Sequence, residues 1–263
     1  MQDFQGDQIM TKSHYAHVEN QFGPRADAYV KSAVHAAGED LDLLEEIVRR
    51  AAPRNALDLG CGGGHLAYRL APHAGNVVAS DLSAAMLAAV AATAHEKGLK
   101  NIETYAAPAE QLPFDDAAFD FLGCRFSAHH WRGFEAGLHE ARRVLAPGST
   151  AVFIDAVSPG PAALDTHIQA IELLRDTSHV RDYTAAEWMA ALGRASFAVR
   201  ATRTWRLRMD FPTWIARMRT PDLNAKAIRA LQQAASAEVV EHFSVESNGS
   251  FMLDTLLIET VAA

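Results

Sequence analysis

The chain has 263 residues, 49% of them apolar, and a formal net charge of −8. That length suits one large α/β domain or two small ones, and the apolar share excludes a disordered chain. The acidic balance, relieved only by short basic pairs such as Arg142-Arg143, argues against nucleic acid as the main partner.

The elements follow in chain order. Residues 1–20 are polar and read as a flexible lead-in. Phe22, Ala26, Tyr29, Val30 and Val34 recur at helical spacing, with Pro24 near the start, where its missing N–H costs least. Leu41, Leu44, Ile47 and Val48 mark a second helix, stopped by Pro53. Strands and helices then alternate. Strands are expected to end at Leu59 and to cover 76–80, 101–105, 118–123 and 150–154, the last after a turn at Pro147-Gly148. Helices are expected over 65–73, 83–97 and along the face of Phe134, Leu138, Ala141 and Leu145. This alternation argues for a parallel sheet wound on both faces by helices. Farther on, helices are expected over 164–174 and 184–192, the latter with Thr184 and Glu187 as a capping box. Strands are expected over 197–207 and 251–261, separated by a helical stretch over 211–237. The organisation expected is the lead-in followed by a single domain, 21–263, with cap insertions at about 158–183 and 208–240.

Cys61 and Cys124 are the two cysteines; they form neither a disulfide framework nor a zinc spacing and fit a reducing cytoplasm. No secretory signal is visible at Met1–Phe4. The longest apolar run, Ala84 to Ala94, is about half of the ~20 residues that span a bilayer, so no integral membrane segment is expected. Oligomeric state is not legible.

The chemistry gathers around Leu57-Asp58-Leu59-Gly60-Cys61-Gly62-Gly63-Gly64, a strand that breaks into a glycine loop before a helix. Glycine admits close backbone approach to a ligand. The dinucleotide fingerprint needs a glycine at the sixth position, where His65 stands, and no Gly-Lys-Ser/Thr phosphate loop occurs. Asp58 ahead of the glycines would repel a pyrophosphate and suits a ligand with a positive centre. Asp81, closing the second strand about 20 residues on, can accept hydrogen bonds from both hydroxyls of a ribose. A nucleoside with a cationic tail is S-adenosylmethionine.

The ordered motifs resemble the class I S-adenosylmethionine-dependent methyltransferases, in particular the small-molecule group that includes the ubiquinone/menaquinone C-methyltransferases. The resemblance covers roughly residues 22–155. It rests on the glycine loop, on Asp81-Leu82-Ser83-Ala84-Ala85-Met86-Leu87, and on Ala109-Glu110-Gln111-Leu112-Pro113-Phe114 with Asp116 and Phe119-Asp120. It implies a Rossmann-like, doubly wound, mostly parallel sheet of seven strands, the last antiparallel, with N-terminal helices and a helical cap insertion. It also implies cofactor-binding roles. Asp58 would lie near the methionine amino group, and Gly60, Cys61 and Gly62 along the aminoacyl tail. Asp81 would hold the ribose, Leu82 and Met86 would pack on the adenosine, and Pro108, Ala109 and Glu110 would border the adenine. Cys124 would lie under the methionine segment, and Tyr29 would complete the pocket. Pro108 departs from the family's small or acidic residue and removes an amide donor.

After the fourth strand, Cys124-Arg125-Phe126-Ser127-Ala128-His129-His130-Trp131 lies at the carboxyl edge where ligands of such sheets bind. The quinone methyltransferases carry Arg-Asn where this chain has His129-His130. His129 is expected to face the transferred methyl and to serve as a base, with His130 as a second candidate. Adjacent histidines seldom converge on one ion, so no metal is expected. Arg125, His179 and Trp214 are candidate substrate contacts. The function expected is direct methyl transfer to a small-molecule acceptor, leaving S-adenosylhomocysteine; whether carbon, oxygen or nitrogen is methylated is not legible. A cofactor-binding protein without methyl transfer is the alternative, and a nicotinamide-dependent oxidoreductase is disfavoured by the missing glycine.

Overall fold

A computed structural model describes residues 13–30 and 38–263. Its sheet has seven strands: β1 (Asn55–Leu59), β2 (Asn76–Asp81), β3 (Ile102–Ala106), β4 (Phe119–Arg125), β5 (Leu145–Ala156), β6 (Phe197–Met209) and β7 (Phe251–Ala262). Their order across the sheet is β3-β2-β1-β4-β5-β7-β6. The first five are parallel, and β7 runs antiparallel to both β5 and β6. The chain reverses its winding direction between β1 and β4, which opens a crevice at their carboxyl ends.

Helices cover both faces. On one lie α3 (Glu39–Ala51), α4 (His65–Leu70) and α5 (Ala84–Glu96). Helix α3 buries Leu41, Leu44, Ile47 and Val48, carries Glu39, Asp40 and Asp42 in its first turn and ends on Arg49 and Arg50, matching its dipole. Ser83 caps α5 by accepting from the Met86 N–H. On the other face lie α6 (Phe134–Val144) and α8 (Ala185–Arg194), the latter opened by the Thr184–Glu187 capping box. Central side chains such as Leu57, Phe121 and Phe153 are fully buried, each stabilising the fold by roughly 1.5–3 kcal/mol. A third core joins α7 (Ala162–Arg175), α9 (Phe211–Met218), α10 (Asp222–Gln233) and α11 (Ala237–His242) to the start of β7 through Ile168, Trp214, Ile228 and Phe251.

Three expectations change. Residues 14–20, read as flexible lead-in, belong to helix α1 (His14–Phe22), whose cap is Ser13 accepting from the Ala16 N–H; the earlier part of that lead-in lies outside the described residues. The helix expected from Phe22 to Val34 is broken. A 3-10 turn, Gly23–Arg25, separates α1 from α2 (Ala26–Val30) because Pro24 cannot donate to the helical ladder; Val34 lies outside the described residues. Finally, Pro147-Gly148 does not end the pairing. It is absorbed at the start of β5, with Gly148 at φ 79° and a register shift opposite Phe119–Phe121.

Candidate functional site

The carboxyl ends of β1, β2, β3 and β4 open onto a cavity with about 1030 Å³ of empty space, its mouth included. One wall comes from strand ends. Asp58 lies within β1 and Gly60, Cys61 and Gly62 follow it, Asp81 ends β2 with Leu82 and Met86 beyond it, and Pro108, Ala109 and Glu110 follow β3. Arg125 ends β4, and the segment after it supplies Phe126, Ser127, His130 and Trp131. The opposite wall is α1 and α2, through His14, Tyr15, Val18, Phe22 and Tyr29.

The strand-end wall is tied by its own backbone. Asp81 Oδ2 accepts from the Gly62 N–H at 2.8 Å and Oδ1 from the Ser83 N–H at 2.9 Å, so one carboxylate fixes the glycine loop and the start of α5 together. Gly62 has φ 48° with nothing within 4 Å of a would-be Cβ, so it faces open space. Gly63 differs: a Cβ there would lie 2.9 Å from the Tyr29 carbonyl, so this glycine is required by protein packing. The His65 Nε2–H donates to the same Tyr29 carbonyl at 2.9 Å.

Asp58 is 1% exposed, and its Oδ2 accepts from the Ala67 N–H at 2.9 Å. Burial pushes its carboxyl up to about 8; the Ala67 bond and Arg125 oppose this, and Asp81 adds to it. Asp58 is therefore a site that gains from a cationic neighbour. Glu110 accepts from the Gly133 N–H at 2.9 Å and is hydrogen-bonded to the Tyr15 hydroxyl, while the Arg132 guanidinium lies over the Tyr15 ring.

The β4 loop is strained where it meets the cavity. Phe126 has φ 51°, held by its N–H bond to the Ile154 carbonyl at 2.8 Å. Arg125, read as a substrate contact, lines the cavity, but its Nε is paired with Asp40 at 2.5 Å and its guanidinium lies over Phe126.

The two histidines part company. His129 is absent from the cavity lining. Its Nδ1 and its backbone N–H both go to Asp155, at 2.5 and 3.2 Å, and its carbonyl accepts from the N–H groups of Val180 and Arg181. Burial disfavours its charge, but Asp155 outweighs burial and raises the imidazole to about 9. His130 does line the cavity, with its ring edge-on to Phe22 at 4.9 Å. Burial, then the charge on His129, lowers it to about 4, so it is neutral at physiological pH.

Three further residues named from the sequence lie off the lining. Cys124 is buried within β4. His179 is buried with its Nε2 on Gln169 Oε1 at 3.0 Å. Trp214 belongs to the third core, with the Arg175 guanidinium over its ring and Phe251 at its edge. Conversely, the sequence reading missed His14, Tyr15, Val18, Phe126, Trp131 and Arg132. The signal for the first group was there: Tyr15, Val18 and Phe22 stand at i, i+3 and i+7 behind a serine cap.

Helix α1 is held in place from the side. His14 donates to the His130 carbonyl at 2.8 Å, and His17 and Gln21 both meet Thr177 Oγ1, at 2.9 and 2.7 Å. Arg25 donates to the Met218 carbonyl at 3.0 Å, and the Tyr29 hydroxyl lies 3.1 Å from the Met218 sulfur. No helix among the described residues is long and apolar enough to cross a membrane.

Residues 57–153 match the methyltransferase domain family. YafE of Escherichia coli strain K12 is 42% identical over 200 residues, 76% of this chain and 97% of that protein. YcgJ of Bacillus subtilis, an uncharacterised methyltransferase, is 32% identical over 248 residues, 92% of this chain and 98% of that protein. Its crystal structure superposes with a TM-score of 0.81, covering 84% of this chain and 97% of that one. A ubiquinone/menaquinone biosynthesis C-methyltransferase, UbiE of Brucella anthropi, is 37% identical over 97 residues, 35% of this chain and 37% of that protein. The cavity thus opens on the sheet edge of a recognised fold, and the chain belongs to the S-adenosylmethionine-dependent methyltransferase family.

Proposed function

We propose that this chain transfers the methyl group of S-adenosylmethionine to a small-molecule acceptor, leaving S-adenosylhomocysteine. The observation that carries the reading is one cavity with two chemically different kinds of lining. Asp58, Gly62, Asp81 and Glu110 give it an acidic, glycine-lined part, and His130, Phe22, Tyr29 and Phe126 line it with aromatic rings.

The residues present fit the cofactor. Asp81 keeps acceptor capacity for a ribose, because the backbone N–H groups of Gly62, Leu82 and Ser83 take three of the roughly four lone-pair sites of an ionised carboxylate. Gly62 leaves room for an aminoacyl tail with Gly60 and Cys61 beside it, and buried Asp58 offers a partner for its ammonium. Leu82 and Met86 supply apolar packing for the adenosine, with Pro108, Ala109 and Glu110 at the adenine edge. When bound, S-adenosylmethionine supplies an electrophilic methyl on a sulfonium leaving group.

The chain's own work is then alignment and exclusion of water. Strand-end anchoring holds the cofactor side, while α1 closes over the acceptor. Alignment of this kind can contribute on the order of 7–11 kcal/mol. His130, rather than His129, takes the acceptor's proton: it is neutral and borders the cavity, whereas His129 is cationic and committed to Asp155. Segments 158–183 and 208–240 act as a cap behind the acceptor end within a single domain. The two buried free thiols, Cys61 and Cys124, support a cytoplasmic location.

The test is mass spectrometry of a cell extract incubated with the protein and methyl-labelled S-adenosylmethionine. Label is expected in one low-molecular-weight product. Tight cofactor binding with no label leaving the cofactor would instead favour a binding protein that does not transfer methyl.

A further inference from the structure

Behind His130 lies a buried acidic side chain whose two oxygens are treated differently. The His130 Nδ1 is 3.2 Å from the Ser178 carbonyl oxygen and 3.4 Å from Ser178 Oγ. The carbonyl can only accept. The hydroxyl donates its hydrogen to Asp176 Oδ1, 2.6 Å away. Nδ1 must therefore carry the ring hydrogen, which leaves the lone pair on Nε2. Nε2 lies 3.9 Å from Asp176 Oδ2.

Asp176 is 1% exposed and follows α7 directly. Its Oδ1 accepts from both the N–H and the hydroxyl of Ser178, whereas Oδ2 is buried and has no hydrogen-bond partner among the described residues. An orphaned buried carboxylate oxygen is costly. A proton on His130 Nε2 would give it a cationic partner at 3.9 Å.

We propose that Asp176 is the positioning residue of methyl transfer, holding His130 through Ser178 with one oxygen and keeping the other for the proton that Nε2 receives. The proposal rests on the reading of His130 as the base. In the step, the acceptor's X–H bond breaks, its electron pair forms the new X–CH3 bond, and the sulfur–methyl bond breaks with its pair going to sulfur. The proton goes to His130 Nε2, beside the Asp176 carboxylate. Water takes it from there after the products leave.

The charged surroundings are balanced against this pair. His129 stands 4.1 Å away, ring to ring, and its charge, held by Asp155, opposes protonation of His130. Asp176 and Asp155 favour protonation. Arg175 precedes Asp176 and is paired with Glu172, and His179 lies three residues beyond Asp176. From α1, His14 donates to the His130 carbonyl and the Phe22 ring meets the imidazole in an edge contact.

The test has two arms, using the full-length protein. Nitrogen NMR of the parent at neutral pH should show His130 with a hydrogen on Nδ1 and a bare Nε2; the opposite tautomer overturns the proposal without any variant. Asp176→Asn removes the carboxylate charge that faces Nε2 and so the stabilisation of the proton received there. Label transfer from methyl-labelled S-adenosylmethionine into cell extract should then fall by about 100-fold, with cofactor affinity by calorimetry within about twofold of the parent. Transfer at the parental rate overturns the proposal alone. Loss of cofactor binding and of the folded state in Asp176→Asn also overturns it, since Asp176 would then be structural only. A parent that transfers no label overturns the reading of the site itself, and this role with it.

Discussion

The two walls of the cavity are built on different principles. The strand-end wall hangs on β1, β2 and β4, which are interior strands of the sheet, and on the edge strand β3, and its side chains act within a few residues of a strand terminus. The α1 wall is nine residues of helix with no buried residue of its own, held by side-chain hydrogen bonds to Thr177 and His130, with Arg25 of the following 3-10 turn bonded to Met218. A wall of the first kind keeps its geometry when the ligand leaves. A wall of the second kind opens at a cost of a few hydrogen bonds, each worth about 0.5–1.5 kcal/mol net. The invariant part of the chemistry therefore belongs with the strands, and passage in and out with the helix.

The sharpest way to break that contrast is at the seam. Asp155 ends β5 and holds both Nδ1 and N–H of His129, whose carbonyl holds the 180–181 segment. Asp155→Ala leaves a buried imidazolium unpaired and should cost about 3–5 kcal/mol in urea unfolding. The pair also has a pH signature. His129 stands at about 9 in the folded chain against an ordinary imidazole value of 6.5. Its stabilisation is complete below about pH 6.5 and is lost as pH rises through 9, a change of up to about 3 kcal/mol. Unfolding curves of the parent and Asp155→Asn should therefore converge in alkali; a constant gap across that window refutes the ion pair.

Asp81 tests the strand-end wall itself. Asp81→Ala removes the proposed ribose acceptor and the anchor of Gly62, and S-adenosylmethionine affinity should fall by about 1.5–3 kcal/mol, roughly 10- to 150-fold. Unchanged affinity by calorimetry would remove the ribose role. A smaller effect concerns Asp58. Its carboxyl stands at about 8, so a cationic ligand must displace a proton below that pH. Affinity should rise with pH by up to about tenfold per unit and level off above 8, with the slope lost in Asp58→Asn. The smallest effect is on the helical wall. Thr177→Val removes two contacts with α1, and amide exchange there should quicken by about tenfold while cofactor affinity stays within a factor of about two. A cofactor defect of the Asp81 size in that variant would erase the distinction between the walls.

The same division decides what was legible in the sequence. Asp58, the glycines, Asp81 and Glu110 announce themselves because each sits at a fixed short distance from a strand end, and strand ends follow from apolar runs and turns. The alternation of elements also gave the parallel part of the sheet. The α1 wall depends on pairs more than 100 positions apart, such as His14 with the His130 carbonyl and Gln21 with Thr177, and no local pattern encodes them. The choice between His129 and His130 was equally hidden. They are neighbours in one 3-10 turn, and the phase of that turn is set by Asp155, 26 positions from His129. Trp214 and His179 looked like substrate contacts by type, yet an apolar core and Gln169 claim them first.

The contact between Gly63 and the Tyr29 backbone carries a lesson for inheritance. Two segments far apart in the chain share one van der Waals boundary, since a Cβ at position 63 would stand 2.9 Å from the carbonyl of Tyr29. Gly63→Ala would therefore push α2 off the loop and depress cofactor affinity without its methyl meeting the cofactor. A genetic screen scoring activity would file such a variant as a nucleoside-site lesion. A second change near position 29 that moves the backbone away would restore it, so positions 29 and 63 are expected to covary as a suppressor pair.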